Sequence, residues 1–422
     1  MAQPPLNPLL NLPVETIHRI ADLLEPKSLG ALRSTCRDLD TALFSKFAAK
    51  SMRKKTLSFT SGQVDSLVEL SQSRGAGYVR KVEFYMMDFS DAQLGGEICM
   101  RMNFYIDQLG VAFGNLHGLE TVTLRDHCSV NRSWTSPVAQ ERSGPDFLTV
   151  YRMTKSRPMA TMPARAHKGY LDKCFSTLMD ALSQAGARVK NIEVLLVGTQ
   201  QLGDVAFSML NHLKPSTVAL VQGLERLHLT LDEREEQRAH LSSFLSHASN
   251  LKDLRINGGG RAMEESTIHK LLSWIACSPD TSSTGCFPEF PRFPRLETLS
   301  LGKMTLLEND VICLILNYAS TLGTLQFWSL TLQDYRVDEH GELEDSDNEP
   351  SSWPSLCRRI AIMENLNLGK ISIGKACENN VVQHPPGLWP VQVAPGADYF
   401  EHTGTGWREF LEQLAEDLEF GS

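Results

Sequence analysis

A short apolar pattern recurs along most of the chain and constrains its fold more than any other feature. It consists of an apolar residue, two further residues, a second apolar residue, one further residue and a third apolar residue. The last two apolar positions lie two residues apart, as do side chains on one face of a β-strand. The eight copies are Val79-Val82-Phe84, Leu119-Val122-Leu124, Val189-Ile192-Val194, Leu224-Leu227-Leu229, Leu251-Leu254-Ile256, Leu296-Leu299-Leu301, Leu322-Leu325-Phe327 and Leu368-Ile371-Ile373.

Apolar stripes with helical spacing lie between several of these triplets. The triplet alone is a weak signal, because 42% of the residues are apolar and about 7% of positions match it by chance. The stripes strengthen it, and the shorter gaps between triplets accommodate one strand and one helix. The sequence therefore predicts an α/β fold of repeated strand–helix units. The stripes are Phe175-Leu178-Met179-Leu182, Ile268-Leu271-Leu272-Ile275 and Val311-Ile312-Ile315-Leu316.

Two inserts interrupt the repeated units. Residues 127–168 are polar, basic and proline-bearing, and we interpret them as a long loop. Residues 338–350, "DEHGELEDSDNEP", hold seven acidic residues and no lysine or arginine, so we expect them to be disordered and solvated. Ser346 lies among these acidic residues and is a candidate for an acid-directed kinase. The basic run Arg53-Lys54-Lys55 is interpreted as a solvated helix end, with a nuclear-targeting signal as the alternative.

The last residues predict an amphipathic helix. Within 401–422, five apolar side chains recur on one helical face. Repeat arrays need a polar terminal unit that covers their last apolar surface, so we interpret this helix as a cap. A partner-binding helix is the alternative. The five side chains are Trp407, Phe410, Leu411, Leu414 and Leu418.

The first fifty residues predict two short amphipathic helices. Pro13 suits a first helical turn, and Glu15 there is favourable to the helix dipole. Pro26 stops the first helix and Ser28 is positioned to cap the second. So short a unit buries too little apolar surface to be stable alone, and it needs cover from the rest of the chain or from another protein. Its apolar stripes are Ile17, Ile20, Ala21 and Leu24, followed by Leu29, Leu32, Cys36 and Leu39.

This stretch resembles an F-box of the type found in fungal proteins. The matching motifs are "LP.E....I", from Leu12 to Ile20, and "LR..CR.L", from Leu32 to Leu39. The resemblance covers about 35 residues, under a tenth of the chain. Many F-boxes place a tryptophan after the "CR" pair, whereas Asp38, Leu39 and Asp40 follow here.

The resemblance implies docking onto the Skp-type adaptor of a cullin-RING (SCF) ubiquitin ligase. Leu12 and Pro13 would enter the hydrophobic surface of the adaptor, with Glu15 part of the same motif. The apolar residues Ile17, Ile20, Leu24, Leu29 and Leu32 would hold the helices together and extend that contact. The triplets resemble the irregular leucine-rich repeats that commonly follow fungal F-boxes. The implied organisation is an F-box at 8–50, a leucine-rich-repeat-like strand/helix solenoid at 75–400 and the capping helix at 401–422.

Composition narrows the partners and the compartment. The net charge of −9 predicts no general attraction to nucleic acid or to an anionic membrane. The longest aliphatic run, "VLLV", is too short to span a bilayer, and we identify no signal peptide at the N-terminus. The nine dispersed cysteines form no CxxC pair, which favours reduced thiols in the cytoplasm or nucleus.

We identify no catalytic or metal-binding motif and expect no cofactor. The chain lacks a GxSxG elbow, an HExxH pair, a P-loop and a dinucleotide-binding fingerprint. The favoured hypothesis is a non-catalytic substrate receptor of an SCF-type ligase, which promotes protein degradation by holding a protein substrate. The alternatives are an interaction scaffold acting outside a ligase and an unrecognised enzyme. Candidate substrate-facing positions beside the triplets are Glu225, Arg226, His228, Lys252, Asp253 and Arg255.

Overall fold

The computed structural model describes most, but not all, of the chain. The predictions for Ser346 and for most of both inserts lie outside the described residues. Those described are 8–85, 92–125, 165–196, 201–235, 238–259, 266–276, 293–333, 336–337, 343–344, 353–374, 377–379 and 399–420.

Three helices form an N-terminal helical unit. A 3-10 turn at Pro8–Asn11 leads into α1 (Val14–Leu23), α2 (Pro26–Arg33) and α3 (Arg37–Ser51). Pro26 occupies the first turn of α2, where its missing N–H costs no hydrogen bond. The cap position of α2 is therefore Glu25, and the prediction that Ser28 caps this helix is wrong.

The rest of the described chain is built on one sheet of eleven strands. Eight of them, β1 to β8, lie side by side in chain order and are parallel, and β11 follows β8. β13 closes the sheet antiparallel to β11, and β12 pairs with the end of β8. The strands are β1 (Lys54–Ser58), β2 (Lys81–Tyr85), β3 (Thr121–Arg125), β4 (Asn191–Leu195), β5 (Arg226–Thr230), β6 (Asp253–Asn257), β7 (Thr298–Leu307), β8 (Thr324–Gln333), β11 (Lys370–Gly374), β12 (Cys377–Asn379) and β13 (Tyr399–Thr403). A separate two-stranded pair is β9 (Arg336–Val337) with β10 (Leu343–Glu344).

Helices connect the strands and pack on one another. Parallel strands require such crossovers, and helices are the usual solution. The α/β class predicted from the sequence is confirmed. The helices are α4 (Ser61–Ser71), α5 (Ala92–Asn115), α6 (Arg165–Gln184), α7 (Lys214–Gln222), α8 (Ala239–Ser246), α9 (Ile268–Ala276), α10 (Glu308–Tyr318), α11 (Trp353–Ala361) and α12 (Trp407–Phe420).

All eight apolar triplets contribute strand residues to the core. In each, the second and third residues lie on one strand and are buried, so that Val82, Val122 and Ile192 align across β2, β3 and β4. One continuous core runs from Phe59 to Leu418 between the sheet and its helices. Burying a leucine or valine side chain contributes about 1.5–3 kcal/mol. The aligned rows therefore fix the register of the sheet.

The α/β unit begins earlier than predicted. Lys54–Ser58 forms the edge strand β1 and Ser61–Ser71 the helix α4, both before the expected start at residue 75. Lys54 and Lys55 thus lie in a strand, and interpreting them as a helix end is wrong. Charged residues at the start of β1 hide the period-two pattern there, because an edge strand buries fewer side chains than a central one.

Three other boundaries differ from the sequence-based expectation. Residues 165–168, placed in the first insert, belong to α6. Leu343 and Glu344, within the acidic insert, pair with β9. Residues 401–403 belong to β13, and the helix expected over 401–422 begins at Trp407.

β7 and β8 bend at matching positions. Lys303 and Ser329 have φ values of 51° and 52°, and the residues on either side of them are register partners. The left-handed backbone is costly for a residue with a side chain. It shifts the alternation by one, so Leu301 before the bend and Met304 after it both point into the core. β12 pairs with the part of β8 beyond the bend.

Candidate functional site

The N-terminal helical unit has a small core of its own. Five buried apolar side chains from α1, α2 and α3 form a cluster separate from the main core. Partly buried neighbours such as Leu24 and Phe47 surround it. Contacts within this cluster therefore hold the three helices together. The buried members are Ile17, Ala21, Leu29, Leu39 and Leu43.

Lysines of α3 fix the end of α1. The Lys50 Nζ donates to the carbonyl oxygens of Ala21, Asp22 and Leu24 at 2.8–3.1 Å. Cations are favoured at a helix C-terminus, where carbonyl groups have no helical partner. The Lys46 ammonium lies 2.8 Å from the carboxylate of Asp22 and lowers the pKa of that group through this hydrogen bond. α1 and α3 are thus locked in register.

Apolar side chains are uncovered at both ends of α1. Leu12 is 37% exposed, Val14 48% and Leu23 88%, and Pro13 between the first two is exposed as well. Three of these residues are consecutive, at the entry to α1, while Leu23 lies at its last turn. Single exposed apolar residues are common on protein surfaces, whereas grouped ones indicate a contact site.

The eight residues predicted to contact an adaptor divide into three groups. Leu12, Pro13 and Glu15 are exposed and accessible to a partner. Ile20, Leu24 and Leu32 are partly buried. Ile17 and Leu29, at 5% and 0% exposure, lie inside the unit, where they hold its helices together; their contact with an adaptor stays a prediction. Sequence reasoning missed Val14 and Leu23, whose signal is an apolar residue off the buried stripe of α1.

A charged and aromatic cluster joins the helical unit to the α/β part of the chain. Asp40 of α3 pairs with Arg33 at 2.7 Å and with Arg74, which follows α4. The Arg74 guanidinium also lies 3.9 Å from the centre of the Phe44 ring, a cation–π geometry. The same ring meets Tyr78 edge to face, with centroids 6.0 Å apart. These contacts orient the helical unit relative to β1.

The face of the sheet opposite the main core is polar. Because side chains alternate along a strand, the positions between the triplet residues all point to this face. We call it the polar face. In register, one row across the sheet reads Thr56, Glu83, Thr123, Glu193, His228, Arg255, Ser300, Gln326, Ser372 and Glu401.

Two carboxylates of this row are buried beneath cations. Glu83 is 1% exposed, and its oxygens lie 2.7 Å from the Lys54 ammonium and 3.3 Å from that of Lys81. Glu193 is 8% exposed; it lies 2.7 Å from the Lys81 Nζ and accepts a hydrogen bond from the Thr123 hydroxyl at 2.9 Å. Burial raises the pKa of Glu193, but the bonds from Lys81 and Thr123 outweigh it and lower that pKa overall. Glu193 is thus held ionised by its partners, and Glu83 lies between two ammonium groups.

Four of the six predicted substrate-facing positions lie on the polar face, and the other two lie just before its strands. Arg226, His228, Asp253 and Arg255 lie on β5 and β6 and belong to the polar face. The Asp253 carboxylate lies 2.6 Å from the Arg226 Nε and 3.1 Å from the His228 Nε2. Burial raises the pKa of Asp253, but these two partners lower it overall.

Glu225 and Lys252 precede those strands instead. Together with Lys190 they form a chain of ion pairs at 2.9 and 3.0 Å along the start of β4, β5 and β6. The hydrogen bonds from Lys190 and Lys252 lower the pKa of Glu225. These groups lie at the strand entries rather than on the polar face itself.

An aromatic pair marks the other end of the polar face. Trp328 of β8 and Tyr399 of β13 are 44% and 49% exposed, with ring centroids 6.1 Å apart. Gly374 of β11 lies between them in register, and a Cβ there would overlap the Trp328 ring. The Tyr399 hydroxyl donates to Glu401, which also pairs with Lys370 at 2.9 Å. We call Trp328, Gly374 and Tyr399 the aromatic platform; sequence reasoning missed it.

Within the described ranges, no cluster of three histidine, cysteine or acidic residues has the geometry of a metal site. Of the thiols, Cys174 and Cys357 are buried, and burial raises the pKa of Cys357 to about 12. Over the same part of the chain, no helix has the length and apolar character needed to cross a bilayer.

Comparisons with known proteins give only distant similarity. No protein-family model matches the chain, so the F-box resemblance has no support from one, and no curated protein matches it. A solved protein of Bacteroides fragilis has 10% identity and a TM-score of 0.32, over 68% of this chain and 71% of that one. The Rad7 and Elc1 complex of yeast has 10% identity and a TM-score of 0.25, over 90% and 88% of the chains.

A third solved structure is similar to a still smaller degree. The D-psicose 3-epimerase of Clostridium cellulolyticum H10, solved with D-tagatose, has 12% identity and a TM-score of 0.17, over 87% of this chain and 97% of that one. None of the three TM-scores reaches the range in which similarity supports an argument about fold or function.

Proposed function

We propose that this chain is the substrate-receptor subunit of an SCF-type ubiquitin ligase. In this proposal the N-terminal helical unit is an F-box that docks on a Skp-type adaptor and, through it, on a cullin scaffold. The α/β part is an irregular leucine-rich-repeat-like solenoid whose polar face holds a protein substrate. The chain performs no bond chemistry and needs no cofactor; it raises the effective concentration of the substrate at the ligase in the cytoplasm or nucleus.

The exposed apolar side chains at the entry to α1 and at its end carry the proposal. Leu12, Pro13 and Val14 form a continuous exposed segment, and Leu23 is the most exposed large apolar side chain among the described residues. A unit with five buried core residues gains little from exposing four more apolar ones to water. A hydrophobic partner surface that covers them accounts for the arrangement, and the Leu12-Pro13 motif is where the F-box resemblance places the adaptor contact.

Co-purification with a Skp-type adaptor tests the proposal. The full chain is co-expressed with the adaptor beside a Leu12→Ala/Pro13→Ala variant and a Leu23→Glu variant. Both variants alter exposed side chains, so the fold is expected to persist. We expect wild type to retain the adaptor through gel filtration and both variants to lose it.

Ile362→Ala supplies the matched control. Ile362 is 72% exposed and follows α11, far along the chain from the helical unit. Adaptor retention should be unchanged in this variant. If wild type does not bind the adaptor, or if all variants bind it equally, the exposed apolar residues of the helical unit are not an adaptor-binding site. A stable adaptor complex that fails to incorporate a cullin would instead support a scaffold acting outside a ligase.

A further inference from the structure

Charge on the polar face is arranged in two layers. Along β1 to β6 the carboxylates are the more deeply buried: the side chains of Glu83, Glu193 and Asp253 are 1%, 10% and 17% exposed. The cations on these strands lie nearer the solvent, with side-chain exposures of 25% for Arg125 and 51% for Lys54. A ligand that approaches this face therefore meets ammonium and guanidinium groups first.

The same region carries an excess of positive charge. On strands β1 to β6, five cations face three carboxylates, although the chain as a whole has a net charge of −9. The buried carboxylates hold the cations in place through short ion pairs, such as the 2.7 Å contact of Lys81 with Glu193. Pre-ordered charges lose less conformational entropy when a ligand binds. The cations are Lys54, Lys81, Arg125, Arg226 and Arg255.

The aromatic platform lies on the same face, beyond the cations. Exposed tryptophan and tyrosine side chains are enriched among residues that dominate binding energy at protein interfaces. The Trp328 ring lies so close to Gly374 that any larger residue there would displace it. Glycine at this position therefore leaves room for the Trp328 ring, and that ring and Tyr399 offer apolar area to a large side chain of a partner.

The spacing of the strands gives the distance between the cations and the aromatic platform. Strands lie about 4.8 Å apart, so β2 and β8 are separated by about 29 Å across six spacings, and β5 and β8 by about 14 Å. An extended peptide advances about 3.3 Å per residue. Lys81 and Arg226 share one register row with Thr324, and Trp328 lies about 13 Å further along the strand. A segment of about ten residues therefore reaches from Lys81 to Trp328, and one of about six residues reaches from Arg226 to Trp328.

We infer that the polar face binds an extended acidic peptide segment that places an aromatic or large aliphatic side chain on the aromatic platform. Acidic residues of the segment pair with Lys81, Arg125 and Arg226, and its apolar anchor follows about six to ten residues away. This rests on the proposed function and deepens it, since the segment belongs to the protein substrate. A single-stranded nucleic acid also combines negative charge with stacking, but Asp253 and Glu401 along its path would repel a continuous phosphate backbone.

Selection from a random library of 12-residue peptides displayed on phage tests the inference on the full-length chain. The consensus peptide is then synthesised with a fluorescein label, and its Kd is measured by fluorescence anisotropy. We expect a consensus with acidic residues and one aromatic or large aliphatic residue about six to ten positions away. Arg226→Glu and Trp328→Ala should each weaken binding at least about tenfold, and raising the salt from 0.05 to 0.5 M, as for any charge-driven contact, should weaken it too.

Matched controls separate the site from general charge and hydrophobicity. Lys214→Glu changes an exposed cation at the start of α7, and Phe104→Ala removes an aromatic side chain of α5 that is 75% exposed. Both should leave the Kd within about twofold. If Arg226→Glu or Trp328→Ala unfolds the chain, Lys54→Glu and Tyr399→Ser, at more exposed positions, replace them.

The outcomes are distinct from those of the adaptor experiment. A neutral or basic consensus, no consensus, or equal binding by all variants overturns the inference. Tighter binding of an oligothymidylate of twelve nucleotides than of the peptide also overturns it, in favour of nucleic acid. Peptide binding without adaptor binding would support the polar-face site and contradict the proposed ligase function. Adaptor binding without an acidic consensus would support the ligase function and contradict the polar-face site.

Discussion

Lys81 and Glu193 form a 2.7 Å ion pair that passes over an intervening strand. Lys81 lies on β2 and Glu193 on β4, and β3 between them contributes the Thr123 hydroxyl to the same carboxylate. The pair joins residues 112 positions apart. The pair links β2 to β4 across the polar face. It depends on three side chains that only the register of the sheet brings together.

Replacing Glu193 by glutamine should destabilise the chain by about 1–3 kcal/mol, because the partly buried Lys81 loses the closer of its two carboxylate partners and keeps only Glu83, at 3.3 Å. Urea unfolding followed by circular dichroism measures this. The control Glu225→Gln removes a more exposed carboxylate and should cost less than about 1 kcal/mol. Equal effects of the two substitutions would contradict the buried tie.

The Glu193 carboxylate also makes the stability of the fold depend on pH. Because its folded-state pKa is lowered, Glu193 stabilises the fold above its unfolded pKa and loses that contribution as the pH falls through the lowered value. Wild type should therefore lose stability below about pH 4.5 more steeply than the glutamine variant. Melting temperatures of wild type and Glu193→Gln between pH 3 and 7 give the comparison. Parallel curves for the two proteins would contradict the role of Glu193 ionisation.

Asp180 of α6 should produce the opposite dependence. It is 6% exposed, and burial raises its pKa to about 6. Its protonated form is favoured in the folded state, so its contribution is fully present below the unfolded pKa near 4 and is lost as the pH rises through about 6. Asp180→Asn should raise stability at pH 7.5 by at most about 3 kcal/mol and change it little at pH 3.5. Melting temperatures at the two pH values decide, and an effect of equal size at both would refute the role of ionisation.

Leu29→Ala should open the N-terminal helical unit and spare the sheet. Leu29 is fully buried in the small core, which is separate from the main one, and such a truncation costs about 2–5 kcal/mol. Hydrogen exchange followed by mass spectrometry should show faster exchange in α1 and α2 and unchanged exchange in β4 to β6. Leu254→Ala, in the main core, is the contrasting variant and should accelerate exchange in the sheet. Faster exchange throughout the chain for Leu29→Ala would show that the two cores unfold together.

Gly374→Ala should disturb the aromatic platform. Its Cβ would overlap the Trp328 ring and approach the Tyr399 ring at 3.1 Å, so one ring must move. We expect a loss of about 1–3 kcal/mol and a change in near-ultraviolet circular dichroism. At Gly369 the Cβ would meet its nearest atom at an ordinary 3.6 Å, so Gly369→Ala serves as the control. An unchanged aromatic spectrum for Gly374→Ala would show that the platform adapts without cost.

The sequence by itself determined the repeated strand–helix architecture and the helical N-terminus. The eight triplets placed two residues each on eight strands because a buried strand face needs apolar residues at a spacing of two, and this requirement is local. The stripe from Ile17 to Leu24 predicted an amphipathic helix for the same reason, at the helical period. β1 escaped prediction because an edge strand carries less of this pattern.

Only the tertiary structure decided which polar and exposed residues act together. Glu83 and Glu193 look like ordinary surface residues in the sequence, and their burial beneath cations follows from the alignment of β1 to β5. Trp328 and Tyr399 are 71 residues apart and meet because β13 pairs antiparallel with β11. Likewise, the burial of Ile17 and Leu29 and the exposure of Leu23 depend on how three helices pack. Local patterns record which residues must be buried, whereas long-range packing determines which neighbours they acquire, and a single sequence carries little trace of that.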